Sequence, residues 1–219
     1  MKTMIETGVL FGEIHSFKDL NLILSSVAIS PAKPKLNLID VPGGNGSLDM
    51  TEAPGEVKFN DRECSLVFTV FPRDPLTFDE RKTLVANALN GLRCKITLDK
   101  DPDFYYLGRL TVDEYAQDRN LKQIKIAATV QPYKLHQHPT VVEIPLEWAE
   151  QEIHLTNGRK TVTPTITCTG EAQIIRGGAV FNLQAGTYKI LDLQLKQGDN
   201  ALTVAGEGTM TIEYQEGEL

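Results

Sequence analysis

The segment from Val41 to Asp49 places one proline and three glycines between two short extended stretches. A glycine-rich loop that binds phosphate needs a helix N-terminus directly behind it, because the helix aims backbone N–H groups and its dipole at the anion. Here Pro54 and Gly55 follow within a few residues, so no helix begins at the glycines. The segment is therefore predicted to be a turn in a β-rich scaffold.

The length and hydropathy of the chain limit the number of domains it can form and whether it can be a membrane protein. With 219 residues, of which 41% are apolar and 23% charged, the chain has room for one large domain or two smaller ones. Its longest apolar run, residues 20–29, is interrupted by polar residues and is shorter than the roughly 20 residues of a membrane helix. Residues 1–6 lack the apolar core of a signal peptide. We therefore expect that the chain does not insert into a membrane and that it is made in a cytoplasm.

The cysteines and the net charge narrow the class further. Cys64, Cys94 and Cys168 are widely spaced in apolar or β-branched surroundings, so they are predicted to be reduced core residues. The formal charge of −7 is spread without a basic block. That distribution argues against a protein that holds nucleic acid by neutralising phosphates.

One helix is predicted, from about residue 78 to about residue 90. Thr77 and Glu80 form a capping-box pattern at its start, and Gly91 can end its last turn in the left-handed region. Its predicted apolar face consists of Leu84, Val85, Ala88 and Leu89.

Most of the remaining sequence alternates with period two. The predicted strands of the first half are centred on residues 57–59, 66–70, 96–98, 107–112 with a slip, 124–126 and 128–130. Three prolines between residues 132 and 145 argue against a helix or a central strand throughout that segment. We therefore predict an N-terminal β-domain over residues 1–135 and a proline-containing linker over residues 136–145.

The remaining residues, 146–219, have the pattern of a β-sandwich. Turn signals recur every 8–12 residues or so, as in sandwiches. Asn157-Gly158 predicts a type I′ hairpin, Gly177-Gly178 a second turn, and residues 198–200 a third. Met210 to Tyr214 is predicted to be the last strand.

The search for chemistry finds no catalytic, cofactor or metal site. His136 and His138 would share one face of a strand, but no further ligand lies at zinc-site spacing. The run from Asp99 to Asp103 imitates a calcium loop, yet Phe104 stands where that loop requires glycine. No nucleophile elbow or recognisable catalytic pair occurs, so the chain is predicted not to be an enzyme and to need no cofactor.

The aromatic residues allow two readings. Tyr105, Tyr106 and Trp148 could form a platform on which sugars stack, since flat rings present apolar faces. For the two tyrosines packing is favoured. For Trp148 an interface role and an exposed role remain equally open.

Several stretches, taken in order, resemble the distal tail protein (Dit) family of long, non-contractile bacteriophage tails. In the first half they are Phe11 to Ser16, Val41 to Gly46, Arg62 to Val70, Pro102 to Arg109 and Gln131 to Lys134; in the second half they are Asn157 to Arg159, Pro164 to Ile166 and Gly186 to Tyr214. The resemblance covers nearly the whole chain. One departure is Gly44, where many members carry an arginine.

The resemblance implies a fold and a role. The fold is mainly β, with an N-terminal tail-tube-like β-domain that carries one helix and a C-terminal galectin-like β-sandwich. The role is that of a hub at the virion tail tip of a siphovirus or prophage. The chain would form a homo-hexameric ring that joins the tail-tube protein to tail-tip or baseplate proteins, including receptor-binding proteins.

Two further expectations accompany this reading. DNA passes through the ring without specific binding, in keeping with the negative charge. The turn formed by Pro42, Gly43, Gly44, Asn45 and Gly46 is predicted to be an assembly contact, because its backbone shape is held while no ligand is indicated. The alternative function is a glycan-binding adhesion module of the tail tip, based on the sandwich and the tyrosines.

Overall fold

The structure is a computed structural model, and it describes residues 8–71, 74–118 and 121–219. The signal-peptide prediction concerns residues 1–6, which lie outside the described residues. The chain divides into two compact units, one ending at Lys134 and the other beginning at Leu135. It is mainly β with one described helix, so the predicted fold class is confirmed. That helix is not long and apolar enough to cross a membrane.

The first unit contains most of the long strands and the helix. Its elements are β1 (Val9–Phe11), β2 (Ile14–His15), β3 (Leu22–Ile29), β4 (Leu38–Asp40), β5 (Ser47–Asp49), β6 (Arg62–Val70), α1 (Phe78–Leu89), β7 (Arg93–Leu98), β8 (Asp101–Gln117) and β9 (Lys122–Val130).

Seven of these strands form one antiparallel sheet in the order β2-β1-β7-β8-β9-β6-β3. Along β6, residues alternate between buried and more exposed positions, which is the period of a strand with one face in the core. The predicted slip within residues 107–112 is not found as a register shift, because Gly108 to Val112 pair with β9 in continuous register; the shift lies further along, between Val112 and Glu114. The core lies between the sheet and α1, where Phe68, Val85 and Leu89 are fully buried.

Helix α1 begins where its capping box predicts. The backbone N–H of Glu80 donates to Thr77 Oγ1 over 3.3 Å, and the N–H of Thr77 donates to Glu80 Oε2 over 2.8 Å. Gly91, just beyond the helix, has φ of +82° as expected. The predicted apolar face needs one correction, because Leu84 is exposed whereas Arg81 is buried. The buried stripe follows the spacing 78, 81, 85 and 89.

Removal of the N-cap should cost a measurable part of the stability. We expect Thr77→Ala to lower the free energy of unfolding by about 1 kcal/mol, because the Glu80 N–H then loses its partner at the helix end. Thr83→Ala is the matched control, since its hydroxyl donates only to the Asp79 carbonyl within the same helix. Urea unfolding followed by circular dichroism measures both. Equal effects would contradict the capping role.

The second unit consists of strands alone. Its elements are β10 (Lys134–His136), β11 (Thr140–Leu146), β12 (Gln151–Asn157), β13 (Thr165–Cys168), β14 (Ala172–Arg176), β15 (Ala179–Leu183), β16 (Gly186–Tyr188), β17 (Gly198–Gly206), β18 (Gly208–Tyr214) and β19 (Gly217–Glu218).

Two four-stranded sheets, β11-β18-β13-β16 and β12-β17-β14-β15, enclose one apolar core. Ile166 and Ile212 come from the first sheet, Ile174 and Val204 from the second, and all four are fully buried. The second unit is therefore the β-sandwich that the turn spacing predicts.

The predicted linker is wrong over half of its length. Residues 140–146 form β11, which pairs with β18 along seven residues. Pro145 is compatible with this strand because β11 lies at the edge of its sheet, where a missing N–H donor is tolerated. The prolines were thus a signal for an edge strand as much as for a linker.

The predicted Asn157-Gly158 hairpin is also wrong. Strand β12 pairs with β17, and the next strand, β13, belongs to the other sheet. Gly158 does not have a positive φ; a Cβ there would lie 3.0 Å from the Gly217 carbonyl oxygen, so close backbone approach explains the glycine. Asn157 is buried, and its amide donates to the Lys160 and Leu195 carbonyls.

Of the other two predicted turns, one is present in the structure and one is not. Gly177 and Gly178, with φ of +54° and +85°, join β14 to β15 as predicted. Residues 198–200 do not form a turn, because they begin β17. Asn200 is buried there, and its side chain accepts from Lys196 N–H and donates to the Leu155 carbonyl.

Candidate assembly surface

Residues 36–50 form a hairpin that leaves the seven-stranded sheet; we call it the arm. Strands β4 and β5 pair only with each other, with Ile39 opposite Leu48. At its base the Met50 N–H donates to the Asn37 carbonyl over 2.8 Å, and the Asn37 N–H donates to Thr51 Oγ1 over 3.0 Å. The arm is therefore a defined two-stranded element, although an isolated hairpin of this size has little stability of its own.

The predicted contact residues Pro42, Gly43, Gly44, Asn45 and Gly46 all lie in the loop that joins β4 to β5, and all are exposed. Gly43 and Gly46 have φ of +78° and +75°, a region that side chains other than glycine adopt at a cost. The Gly44 N–H donates to the Val41 carbonyl over 3.0 Å and closes a turn. No helix follows. The prediction that these glycines set backbone shape between strands is confirmed, while their role as an assembly contact stays a prediction.

The arm exposes an unusual amount of apolar surface. All fifteen of its residues are exposed. Its large apolar side chains keep between 36% and 62% of their surface accessible; they are Leu36, Leu38, Ile39, Val41, Leu48 and Met50. Single exposed apolar residues are ordinary, but six on one hairpin of fifteen residues mark a candidate interaction surface.

The two faces of the arm differ in chemistry. Ile39 and Leu48 are direct cross-strand partners and share one face, whereas Asp40 and Asp49 lie on the other face together with Leu38. Ser47 Oγ donates to Asp40 Oδ1 over 2.6 Å. Hydrogen bonds from Thr51 lower the pKa of Asp49. One face of the arm thus carries the apolar pair, and the other face carries two carboxylates beside Leu38.

The side chains considered for chemistry lie elsewhere. Within the described ranges, no group of three His, Cys, Asp or Glu side chains could hold a metal ion. The turn after Leu98 places Asp99 where its carboxylate accepts from the Gly8 N–H over 2.7 Å, so the calcium-like run is occupied by a structural contact. His136 lies in β10, with its Nε2 3.9 Å from Glu218 Oε1. None of these residues is brought to the arm.

The thiols and the paired tyrosines lie in or against the protein interior. All three cysteines are free, with Cys64 and Cys168 buried and Cys94 partly buried. Burial raises the pKa of Cys64 to about 11, so its thiol stays protonated at neutral pH. Tyr105 is buried and Tyr106 packs against the core, which confirms packing as their role.

Sequence reasoning identified the loop of the arm and missed its apolar strands. The short apolar groups around Leu38 and Leu48 resemble ordinary buried strands, and nothing in their pattern distinguishes an unpartnered hairpin from a core hairpin. Their brevity was the available signal, because three-residue strands bordered by Pro and Gly contribute little to a core.

Comparison with known proteins adds a structural likeness over nearly the whole chain. No protein-family model matches this sequence, and no curated protein matches it by sequence. The structure is similar to the crystal structure of the Dit protein (gp 19.1) of phage SPP1, described as a paradigm of hub adsorption apparatus in phages that infect Gram-positive bacteria. The TM-score is 0.70 at 16% identity, over 97% of this chain and 99% of that chain. Both units of this chain together therefore have a Dit-like fold.

Proposed function

We propose that this chain is a structural hub of a long, non-contractile phage or prophage tail. The observation that carries the proposal is the Dit-like fold over 97% of the chain, because the likeness includes both units. The SPP1 protein is described as part of an adsorption apparatus, and the coarse role of tail hub follows from it by analogy.

The finer part of the proposal is a homo-hexameric ring at the virion tail tip. It joins the tail-tube protein on one side to tail-tip and receptor-binding proteins on the other, and DNA passes through it unbound. A closed ring needs one patch on each subunit to meet a different patch on the next. The arm supplies a candidate for the first patch, since its apolar face has no partner among the described residues of the same chain. The net charge of −7 fits a channel that must release DNA.

The oligomeric state tests this proposal. Native mass spectrometry of the purified chain should give a hexamer, or a monomer that becomes a hexamer when the tail-tube protein is added. Negative-stain electron microscopy of the same samples should show six-fold rings. A chain that stays monomeric with both the tail-tube and tail-tip proteins present would rule out the hub.

A further inference from the structure

A groove in the second unit lies beside Trp148, the one tryptophan of the sequence. Its volume is about 300 Å³, within the lower range of small-molecule sites. Trp148 borders it from the connection between β11 and β12, with 63% of its surface exposed. An exposed aromatic ring beside a groove with both polar and apolar walls offers a flat apolar face to a ligand.

Planar polar side chains line the groove in two rows. Ala205, Gln173 and Asn182 lie side by side across β17, β14 and β15, and Gln173 Nε2 donates to Asn182 Oδ1 over 2.9 Å. One row further along the same face, Gln184 Nε2 donates to Glu171 Oε1 over 3.3 Å. Each primary amide has two N–H donors and a carbonyl acceptor, so one such bond leaves both kinds of group for a ligand.

A backbone hydrogen bond joins the connection that carries Trp148 to the sheet that carries the amides. The Gly206 N–H donates to the Glu147 carbonyl over 2.9 Å, which ties the connection that carries Trp148 to the end of β17. A Cβ at Gly206 would lie 2.2 Å from the Glu171 carbonyl oxygen, so only glycine allows this approach. The connection that carries Trp148 and the rows of amide side chains therefore adjoin on one sheet.

We propose that this groove binds a neutral saccharide. The apolar faces of sugar rings fit the exposed face of Trp148, while hydroxyl and acetamido groups pair with the side-chain amides and with Glu150 or Glu171. Among the described residues that line the groove there is no lysine, arginine or histidine, whereas there are two carboxylates, so anionic sugars are disfavoured. A quaternary ammonium ligand is disfavoured as well, because such ligands are held by several aromatic rings and this groove has one.

The intrinsic fluorescence of the full chain tests the proposal directly, because Trp148 is its only tryptophan. The probes are chitotriose, maltotriose and lactose as neutral saccharides, with trigalacturonate and choline as charged comparisons. We expect at least one neutral probe to change the emission saturably, with a dissociation constant in about the millimolar range or tighter. No response to any neutral probe, or a response only to trigalacturonate or choline, would overturn the proposal.

Two variants assign the binding to the groove. Calorimetry should show at least about tenfold weaker binding for Trp148→Ala and for the Gln173→Ala/Asn182→Ala double variant. Leu191→Ala is the matched control, since Leu191 is 74% exposed in the same unit and does not line the groove. Binding that survives both groove variants would refute the site. Hexamer formation is measured on the same variants, and its persistence separates this site from the hub function.

Discussion

We expect the double variant Ile39→Thr/Leu48→Thr to fold normally and to lose the hexamer. The two residues are cross-strand partners on the apolar face of the arm, and both are about half exposed in the isolated chain. Complete burial of a side chain of this kind contributes about 1.5–3 kcal/mol, and about half of that gain remains for a residue that is already half buried. Loss of both side chains therefore removes about 1.5–3 kcal/mol per subunit contact. Threonine is β-branched and favours a strand, so the hairpin itself is retained in the variant.

Native mass spectrometry at a concentration where the unchanged chain is hexameric measures the effect. The matched control is Val141→Thr/Val180→Thr, which makes the same kind of change at two exposed strand positions of the second unit. Thermal unfolding should be similar for the unchanged chain and both double variants. A hexamer that persists in the arm variant, or that is lost equally in the control, would show that the arm is not the contact.

Arg81→Met should produce the largest loss of stability. Arg81 Nε and Nη2 donate to the two carboxylate oxygens of Asp74 over 2.6 and 2.5 Å, and both side chains are at most 5% exposed. Removal of one member of such a pair leaves a buried charge without its partner, which costs about 3–5 kcal/mol. Urea unfolding followed by circular dichroism measures this free energy. The double variant Arg81→Met/Asp74→Leu should recover most of the lost free energy of unfolding, because it also removes the buried carboxylate that has no partner.

The same ion pair makes the stability of the first unit depend on pH in the acid range. Burial would raise the pKa of Asp74, but the hydrogen bonds from Arg81 and from the Leu76 N–H outweigh it and lower the pKa below the ordinary value. A carboxyl whose pKa is lower in the folded state stabilises the protein above its unfolded pKa of about 3.9, and this stabilisation is lost as pH falls through the folded pKa. The unchanged chain should therefore lose more stability between about pH 5 and 2 than the Arg81→Met/Asp74→Leu variant. Equal losses would show that Asp74 does not contribute.

Local signals in the sequence predicted the elements whose partners are near in the chain. The capping box at Thr77, the positive φ of Gly91 and the Gly177-Gly178 turn depend on a few neighbouring residues, and each is found as predicted. Asn157-Gly158 has an equally strong local pattern, yet its strand pairs with β17, some 40 residues away. A distant strand that buries Asn157 outweighs the preference of the dipeptide for a hairpin.

Burial of polar groups was the least predictable feature of the fold. Arg81 lies in the buried stripe of α1, where hydropathy alone predicts an apolar residue, because Asp74 comes from a preceding loop to meet it. Leu84, which hydropathy assigns to the core, is exposed instead. The type of a residue does not reveal whether another segment supplies a side chain of opposite charge. That side chain decides whether a charged residue on the helix can be buried without a large loss of free energy.

The sequence by itself determined that this chain is mainly β, that its one described helix begins after Thr77, and that the glycines at 43 and 46 shape a turn without binding phosphate. Those features follow from hydropathy period and local backbone preference. Only the tertiary structure decided that the strands beside this turn stay out of the core and that Trp148 borders a polar groove. Exposure depends on which distant residues cover a side chain, and the order of residues in one segment does not contain that information.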